Sequence, residues 1–589
     1  MKSEQKVKEL RDLMLKNGID FYIIPTSDPH MSEYVMDRYK ERAYMTNFTG
    51  SAGIALLTQT EALLWADGRY YTQAEKEIKN TPFKLMKMGL EGVPTIYEFI
   101  KNKINESDTI GFNGQITPYL TYKLLKNMFP NNRFVIDKDL VGEIWEDRPD
   151  LPNGKAFILD ESYTGESPRK KIESLQQKMK EKEITHMFIS ELDHICYLLN
   201  IRGTDDLFTP ILLSYLLIKQ NRVTIYVNEN KIDSTVSGYL SKNGINKKDY
   251  NEIESDLSKL TKNEKVWISE SGISSIFYQI IENNSNVYLD VLPSLYMKAV
   301  KNEVEIWHMK KAHIADGAQL TRFLYWMKTC DKTDLNEYTA AQKLHELRSE
   351  VEGFISESFA TISAYKSNAA MAHYQAFEDD NAKIENDGLY LIDSGGQYKE
   401  GTTDVTRTIT LGNPTPEEIK DYTLTLKAHI DLYLAKFIKG TTGFQLDIIA
   451  RSPLWKNGID FKHGTGHGVG FVLGVHEGPQ SISYAYRPVP LEVGMIVSNE
   501  PGVYREGKHG IRIENLLVVE NYKRSEFGTF YGFSNLTYVP YEKELIDISL
   551  LNEDELNYLR EYNSKTRELL IKYMKTDEEV NWLKEMTSI

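Results

Sequence analysis

Leu389-Tyr390-Leu391-Ile392-Asp393-Ser394-Gly395-Gly396 and, shortly after it, Asp404-Val405-Thr406-Arg407-Thr408-Ile409 decide how the last third of this chain is read. The first is an apolar run closed by an acid and two glycines. The second alternates, with an acid at its head. Both have the pattern of strands. A hairpin joining them brings Asp393 beside Asp404. Two buried carboxylates that close repel each other unless a cation lies between them. Taken alone, the pair has a plainer explanation that carries more weight: Asp beside Gly is common in surface turns.

The surrounding sequence shifts that balance. His463-Gly464-Thr465-Gly466-His467-Gly468-Val469-Gly470 places two imidazoles at i and i+4, the spacing of a helical zinc pair. So many glycines argue against a helix. The stretch reads as a tight loop in which backbone and imidazoles come close to a ligand. A phosphate-cradling loop is the rival, but the lysine that ends a P-loop is missing. His476 follows in Val475-His476-Glu477-Gly478-Pro479. Glu500 closes the strand-like run Met495-Ile496-Val497-Ser498-Asn499, either as a solvated strand end or as a ligand at a core edge. Ile511 to Val519 reads as one strand, and alternation puts Arg512 and Glu514 on one face of it. An acid in so apolar a strand needs a partner, and the ordinary partner is Arg512. Together Asp393, Asp404, His467, Glu500 and Glu514 form an oxygen-rich set with one imidazole. Such a set suits two divalent ions, Mn²⁺ first, with Zn²⁺ or Co²⁺ possible. Two ions so held can activate water for hydrolysis.

Composition narrows the field. The 589 residues exceed one core and predict three to four soluble domains. A formal charge of −15 argues against nucleic-acid and anionic-membrane partners. Cys196 and Cys330 are the only cysteines, which excludes a disulfide framework and predicts two buried thiols. Residues 1–17 form a charged, helix-like stretch with Val7, Leu10, Leu13 and Met14 on one stripe, unlike a signal peptide. Ile211 to Ile218 is too short to span a bilayer. A cytoplasmic protein is expected.

Helix and strand signals alternate through residues 1–149, a first α/β domain. Strands are predicted at 20–25 and, as a hairpin, at 53–58 and 61–66. Pro149, Pro152 and Gly154 punctuate its end. Residues 150–300 repeat the pattern with a helix from Pro168 to Lys182, a strand at 185–190, a turn at 200–203 and paired strands at 211–219 and 222–227. The shared order hints at duplication. From 301 to 589 the signals change to long helices, 303–329 and 334–350, and mostly antiparallel strands (353–364, 389–393, 404–411, 495–500, 511–519). That is an α+β domain, ending in a helical stretch at 553–573.

These residues together are recognisable. Asp393, Asp404, His467 in His-Gly-Thr-Gly-His-Gly, Glu500 in Asn-Glu-Pro-Gly and Glu514 in Ile-Arg-Ile-Glu-Asn resemble the ligand set of the metallopeptidase family with the pita-bread fold. That family contains methionine aminopeptidase, prolidase and Xaa-Pro aminopeptidase. Ile23-Ile24-Pro25, Ser32-Glu33-Tyr34, Gly50-Ser51-Ala52-Gly53, Asp67-Gly68-Arg69-Tyr70, Asp147-Arg148-Pro149 and Asn200-Ile201-Arg202-Gly203 resemble the leading domains of the three-domain cytosolic Xaa-Pro aminopeptidases. The resemblance implies two creatinase-like α/β domains ahead of a pita-bread catalytic domain, and the length of the chain separates it from shorter members.

The resemblance also implies roles. Asp393 chelates one ion, Asp404 and Glu514 bridge both, and His467 and Glu500 complete the other. A bridging hydroxide attacks the carbonyl of the first residue, and Glu500 helps move the proton. His373, in Ala372-His373-Tyr374, contacts substrate and shuttles protons. His476 stabilises the tetrahedral intermediate, His463 lines the proline pocket, and Tyr504 and Arg512 orient ligands. The implied substrates are peptides with a penultimate proline, and the implied assembly is a homodimer. Prolidase, restricted to Xaa-Pro dipeptides, is the alternative. A creatine-hydrolysing relative or a non-catalytic binding module of this fold lacks the complete ligand set.

Overall fold

Residues 2–588 are described by the computed structural model. One compact unit comprises the chain up to Ile158 with Ser167–Asp206 and Ile211–Ser294. The other comprises Leu159–Glu166, Leu207–Pro210 and the chain from Leu295.

The first unit holds two six-stranded sheets of the same design. In the first sheet the order is Lys84–Lys87, Ala62–Ala66, Ile54–Leu57, Phe21–Pro25, Thr109–Phe112, Arg133–Val135. In the second it is Ile245–Lys248, Arg222–Val227, Ser214–Lys219, His186–Ile189, Lys265–Ile268, Asn286–Leu289. In each, a hairpin and the central strand beside it run antiparallel, with parallel pairs on both flanks. The central strands are buried on both faces, which is why Phe21–Pro25 and His186–Ile189 read as continuous apolar runs. Helix Ser3–Asn17 packs Val7, Leu10 and Met14 into the first core, with Leu13 half-buried beside them, and stops at Gly18 in the left-handed conformation.

Two sequence expectations need correction here. Residues 200–203 are not simply a turn: Ile201–Arg202 is a short strand paired with Phe157–Ile158. The Arg202 guanidinium turns back onto the carbonyls of Cys196 and Ile201, so a polar sequence is buried there. Of the two thiols, only Cys196 is fully buried; Cys330, in the second unit, is half-buried.

The second unit is built on long helices and small antiparallel sheets. Helix Glu303–Thr329 begins at a capping box between Asn302 and Glu305. Helix Pro416–Leu434 begins at another, Thr415 with Glu418, with proline at its first turn. A three-stranded sheet orders Ile362–Tyr365, Leu389–Ser394 and Val405–Thr410. A four-stranded sheet orders Phe437–Ile438, Gly528–Asn535, Asn515–Ser525 and Ile496–Asn499. Gly502–Arg505 and His509–Arg512 form a separate ribbon.

Two predicted strands, 353–364 and 511–519, are divided in this arrangement, and one predicted hairpin, between 389–393 and 404–411, is opened by inserted strands. The 353–364 stretch divides into Phe354–Glu357 and Ile362–Tyr365, which join different sheets. Leu389–Ser394 and Val405–Thr410 do pair antiparallel, but no simple hairpin joins them. Between them Gly396–Tyr398 and Gly401–Thr402 leave to join Phe354–Glu357. The 511–519 stretch is interrupted at Ile513-Glu514, where the chain passes from the ribbon to the four-stranded sheet.

Candidate metal centre

Strand register brings the acids together. Asp393 lies opposite Thr406, two residues beyond Asp404. In the four-stranded sheet the ladder ends at the Asn499–Asn515 pair. Glu500 follows the first of these and Glu514 precedes the second, so both leave the ladder at the same end. The Glu514 amide donates to the Thr406 carbonyl at 3.1 Å, which ties that end to the Asp404 strand.

The glycine-rich loop is laid on the same edge. It is not helical; Gly466–His467 forms a two-residue strand. A Cβ at Gly466 would lie 1.9 Å from the Ser498 carbonyl oxygen, so only glycine allows this approach. The loop is then fastened by two bonds. His467 N–H donates to Ser498 Oγ at 2.9 Å, and Glu500 N–H donates to the Thr465 carbonyl at 2.8 Å.

Ligand atoms of Asp404, His467 and Glu514 converge within 4.8 Å of one another. His467 Nδ1 faces the Gly468 carbonyl at 2.9 Å, which makes it the donor nitrogen and leaves Nε2 as the ligand atom. Nε2 stands 3.4 Å from Asp404 Oδ2 and 3.4 Å from Glu500 Oε1. Asp393 is not in the tight trio. Its Oδ2 receives Arg512 Nη2 at 2.6 Å, and its charge is felt by Glu514 and Glu500.

Buried acids this close disturb one another. Burial first, then Asp404, Glu500 and Asp393, pushes the Glu514 carboxyl well above the usual range. Asp393 and Glu500 are also raised, by burial and by neighbouring acids, against the opposing charges of Arg512 and His467. Burial alone would lower His467, but its bond to Asp404 and the charges of Glu500 and Asp404 carry it up to about 9. Oδ1 of Asp393 and Oδ1 of Asp404 are buried without any hydrogen-bond partner. Excess negative charge, orphaned carboxylate oxygens and an imidazole nitrogen aimed among them fit divalent cations and little else.

The remaining predicted residues surround this group. Arg512 does not pair with Glu514, as strand alternation suggested, because the strand breaks between them. It instead grips Asp393 and donates Nη1 to the Tyr504 hydroxyl at 2.7 Å. Tyr504 in turn meets His463 Nε2 at 2.8 Å, while His463 Nδ1 faces the Gly464 carbonyl at 2.7 Å. Burial, aided by the Arg512 charge, drops His463 to about 3, so it is a neutral imidazole. His476 is exposed, and its ring stands perpendicular to that of His467 with centroids 4.3 Å apart. His373 is exposed on a loop whose Ala372 carbonyl receives Arg512 Nη2 at 3.5 Å.

Three supporting groups were missed in the sequence. Thr406 Oγ1 donates to Glu514 Oε2 at 2.7 Å. Ser498 Oγ donates to Glu500 Oε1 at 3.0 Å. Each lies two residues along a strand from an acid of the set, so alternation alone could have found them. Glu477, beside His476, is buried against Lys298 at 3.2 Å and Lys301 at 3.5 Å. That contact spans the unit's sequence, and no local pattern announces it.

Known proteins resemble this chain along its whole length. A model described as metallopeptidase family M24 matches residues 308–521. Models of the creatinase/prolidase N-terminal domain match 6–144 and 147–305, and one of the C-terminal region of peptidase M24 matches 529–589. The chain is 38% identical to Xaa-Pro aminopeptidase 1 of Dictyostelium discoideum, covering 98% of this chain and 95% of that protein. This chain belongs to the Xaa-Pro aminopeptidase family of M24 metallopeptidases. A probable Xaa-Pro aminopeptidase P of Sordaria macrospora is 38% identical, with 99% and 98% covered. The X-prolyl aminopeptidase of Caenorhabditis elegans, described as a cytosolic enzyme with a di-nuclear active site, superposes with a TM-score of 0.92 at 33% identity, covering 100% of this chain and 99% of that one. Two creatinase-type domains precede a pita-bread catalytic domain in this chain, and the duplicated sheets of the first unit lie in the residues that those two domain models match.

Proposed function

We propose that this chain hydrolyses the bond between an N-terminal residue and a penultimate proline, releasing the first residue, with two divalent ions as cofactors. The convergence of Asp404, His467 and Glu514 within 4.8 Å carries the reading. The likeness of the whole chain to proteins named for that activity supports it. Asp393, Asp404, His467, Glu500 and Glu514 are the proposed ligands, and the acid-rich donor set favours Mn²⁺, with Zn²⁺ or Co²⁺ as substitutes. When bound, the ions supply Lewis acidity and a water acidic enough to attack near neutral pH.

The chain's own residues do the rest. Glu500, oriented by Ser498, takes the proton of the attacking water. His476, at the open edge beside His467, donates a hydrogen bond to the carbonyl oxygen as negative charge develops there. Arg512 and Tyr504 hold Asp393 and His463 in fixed orientations. His463 lines the site of the proline ring, and His373 contacts the substrate. A bond to proline has no N–H to grip and a fixed ring. A shaped site for the ring therefore replaces the usual recognition of the next amide.

The dipeptidase alternative is less supported. Prolidase of Pyrococcus horikoshii matches only 63% of this chain, although 99% of that chain is covered, at a TM-score of 0.51 and 26% identity. This chain carries two creatinase/prolidase N-terminal domain matches, at 6–144 and 147–305, ahead of its M24 region. The deciding experiment strips the protein with chelator, restores Mn²⁺, Zn²⁺ or Co²⁺ separately, and compares Xaa-Pro-Pro, Xaa-Ala-Pro and Xaa-Pro substrates. Activity is expected to return best with Mn²⁺, and the proline tripeptide to exceed both others by at least about a hundredfold in kcat/KM. Equal turnover of the alanine peptide would overturn the specificity, and preference for the dipeptide would make the enzyme a prolidase.

The same reading divides the chain at 1–149, 150–300 and 301–589, supported by the position of each sheet and by the helix that begins at Glu303. It also proposes a cytoplasmic homodimer. The cytosolic description of the C. elegans enzyme supports the location. Among the described residues no helix is long and apolar enough to cross a membrane. Phe444, Ile448 and Trp455 form an exposed apolar stripe on helix Gly443–Trp455, a surface suited to subunit pairing that sedimentation velocity would test.

A further inference from the structure

We propose that Glu337 is a positioning residue of this enzyme, fixing the loop that presents His373 to the substrate. Glu337 opens helix Glu337–Ser349, and its side chain is fully buried. Among the described residues no lysine, arginine or histidine forms an ion pair with it. Its charge is met only by hydrogen bonds. Oε1 accepts from the Tyr365 amide at 2.6 Å and Asn368 Nδ2 at 3.0 Å. Oε2 accepts from the Tyr374 hydroxyl at 2.6 Å, the Ala382 amide at 2.7 Å and Asn368 Nδ2 at 3.1 Å. The Glu337 amide returns a bond to the Ala382 carbonyl at 3.1 Å.

Every one of those donors lies between residues 365 and 382. A buried carboxylate without a cation persists only when its oxygens are fully satisfied. The loop and the acid are therefore mutually dependent: the loop solvates the charge, and the charge gathers the loop. Bonds to an ionised acceptor are the strong ones.

Within the loop His373 stands between two anchors. On one side the Ala372 carbonyl meets Arg512, which also holds Asp393. On the other, Tyr374 is tied by its hydroxyl to Glu337. A run of contacts thus links a metal ligand to the helix start, with the His373 imidazole at its middle and open to solvent. Displacing a substrate-contacting group by about 1 Å can cost on the order of a hundredfold in rate.

This rests on the proposed reading of His373 as a substrate contact, and a double-mutant cycle separates the two claims. Tyr374→Phe removes one bond to Glu337 and keeps the acid and the ring. In the Mn²⁺-restored enzyme it is expected to lower kcat for an Xaa-Pro-Pro peptide about tenfold, with KM within about twofold. Metal content should match the parent, which separates a positioning loss from a loss of the centre. His373→Ala should lower kcat as well, and Tyr374→Phe should then cost less than about twofold further. Glu337→Gln, the harsher variant, should behave like Tyr374→Phe but more severely, with its loss also absorbed by His373→Ala. A full tenfold cost of Tyr374→Phe in the His373→Ala background, or no cost in the parent, overturns the positioning role while leaving His373 in place. Unchanged kinetics of His373→Ala overturns the reading of His373 itself, and the proposal with it.

Discussion

Thr406 shows how much of the centre depends on side chains that never touch an ion. Its hydroxyl donates to Glu514 Oε2 at 2.7 Å and accepts from Arg512 Nε at 3.3 Å. One small group therefore fixes the rotamer of a proposed ligand and of the arginine that holds Asp393. Groups in this position typically contribute tenfold to a hundredfold to metal affinity. Thr406→Val keeps the shape and the strand propensity but removes both bonds. It is expected to weaken Mn²⁺ binding by about tenfold or more, measured by competition with a chelator. The orphaned Arg512 donor should also cost about 1–3 kcal/mol of folding stability. Undiminished metal affinity would mean that Glu514 is oriented by backbone alone.

At the scale of elements, the loop at 463–470 was the most legible part of the site. The glycines exclude a helix on sequence grounds alone, and the reason is visible at Gly466, where a Cβ would meet the Ser498 carbonyl oxygen at 1.9 Å. A backbone atom cannot step aside as a flexible side chain can. Gly466→Ala should therefore lift the loop from strand Ile496–Asn499 and break the His467–Ser498 and Glu500–Thr465 bonds. Gly464→Ala, whose Cβ would sit 3.3 Å from that of Ser483, is the control. A fall in kcat/KM of more than about a hundredfold is expected for the first and only a few-fold for the second; comparable losses would show that the close approach is unimportant. Helices with caps were equally legible: Glu303–Thr329 lies where the sequence put it. The break at Ile513-Glu514 was not, because apolar residues on both sides preserve the period of one strand while the chain changes sheets. Nor were Glu337 and the Lys298–Glu477–Lys301 cluster, whose partners are distant in sequence. Period and turn chemistry are local, whereas satisfying a buried charge is not.

For the whole molecule, duplication in the first unit creates a pH-sensitive joint between its two halves. His30 follows strand Phe21–Pro25 of the first sheet, and its partners come from the second half: Nδ1 lies 2.7 Å from the Ser190 carbonyl and Nε2 2.8 Å from the Tyr250 hydroxyl. A neutral imidazole satisfies both, donating from Nδ1 and accepting at Nε2. A second proton would turn Nε2 into a donor in an almost dry site. Burial accordingly lowers His30 to about 3; the Ser190 carbonyl opposes the shift and the charge of Lys231 adds to it. In the unfolded chain the same group titrates near the ordinary value of about 6.5. The unfolded state thus takes up the proton first as pH falls, so this contribution to stability is complete above about pH 6.5 and shrinks through the window down to about pH 3. The loss amounts to about 1.4 kcal/mol per pH unit in that window. His30→Gln retains a donor and an acceptor but does not titrate. It is expected to be less stable than the parent at pH 7.5, yet to lose about 1.4 kcal/mol less between pH 7.5 and 5.5. Because two compact units make a single unfolding transition unsafe to assume, the measurement is hydrogen exchange in peptides covering Phe21–Pro25 and His186–Ile189. Parallel pH dependence in parent and variant would show that His30 is protonated in the folded protein and that acid loosens this unit through other groups.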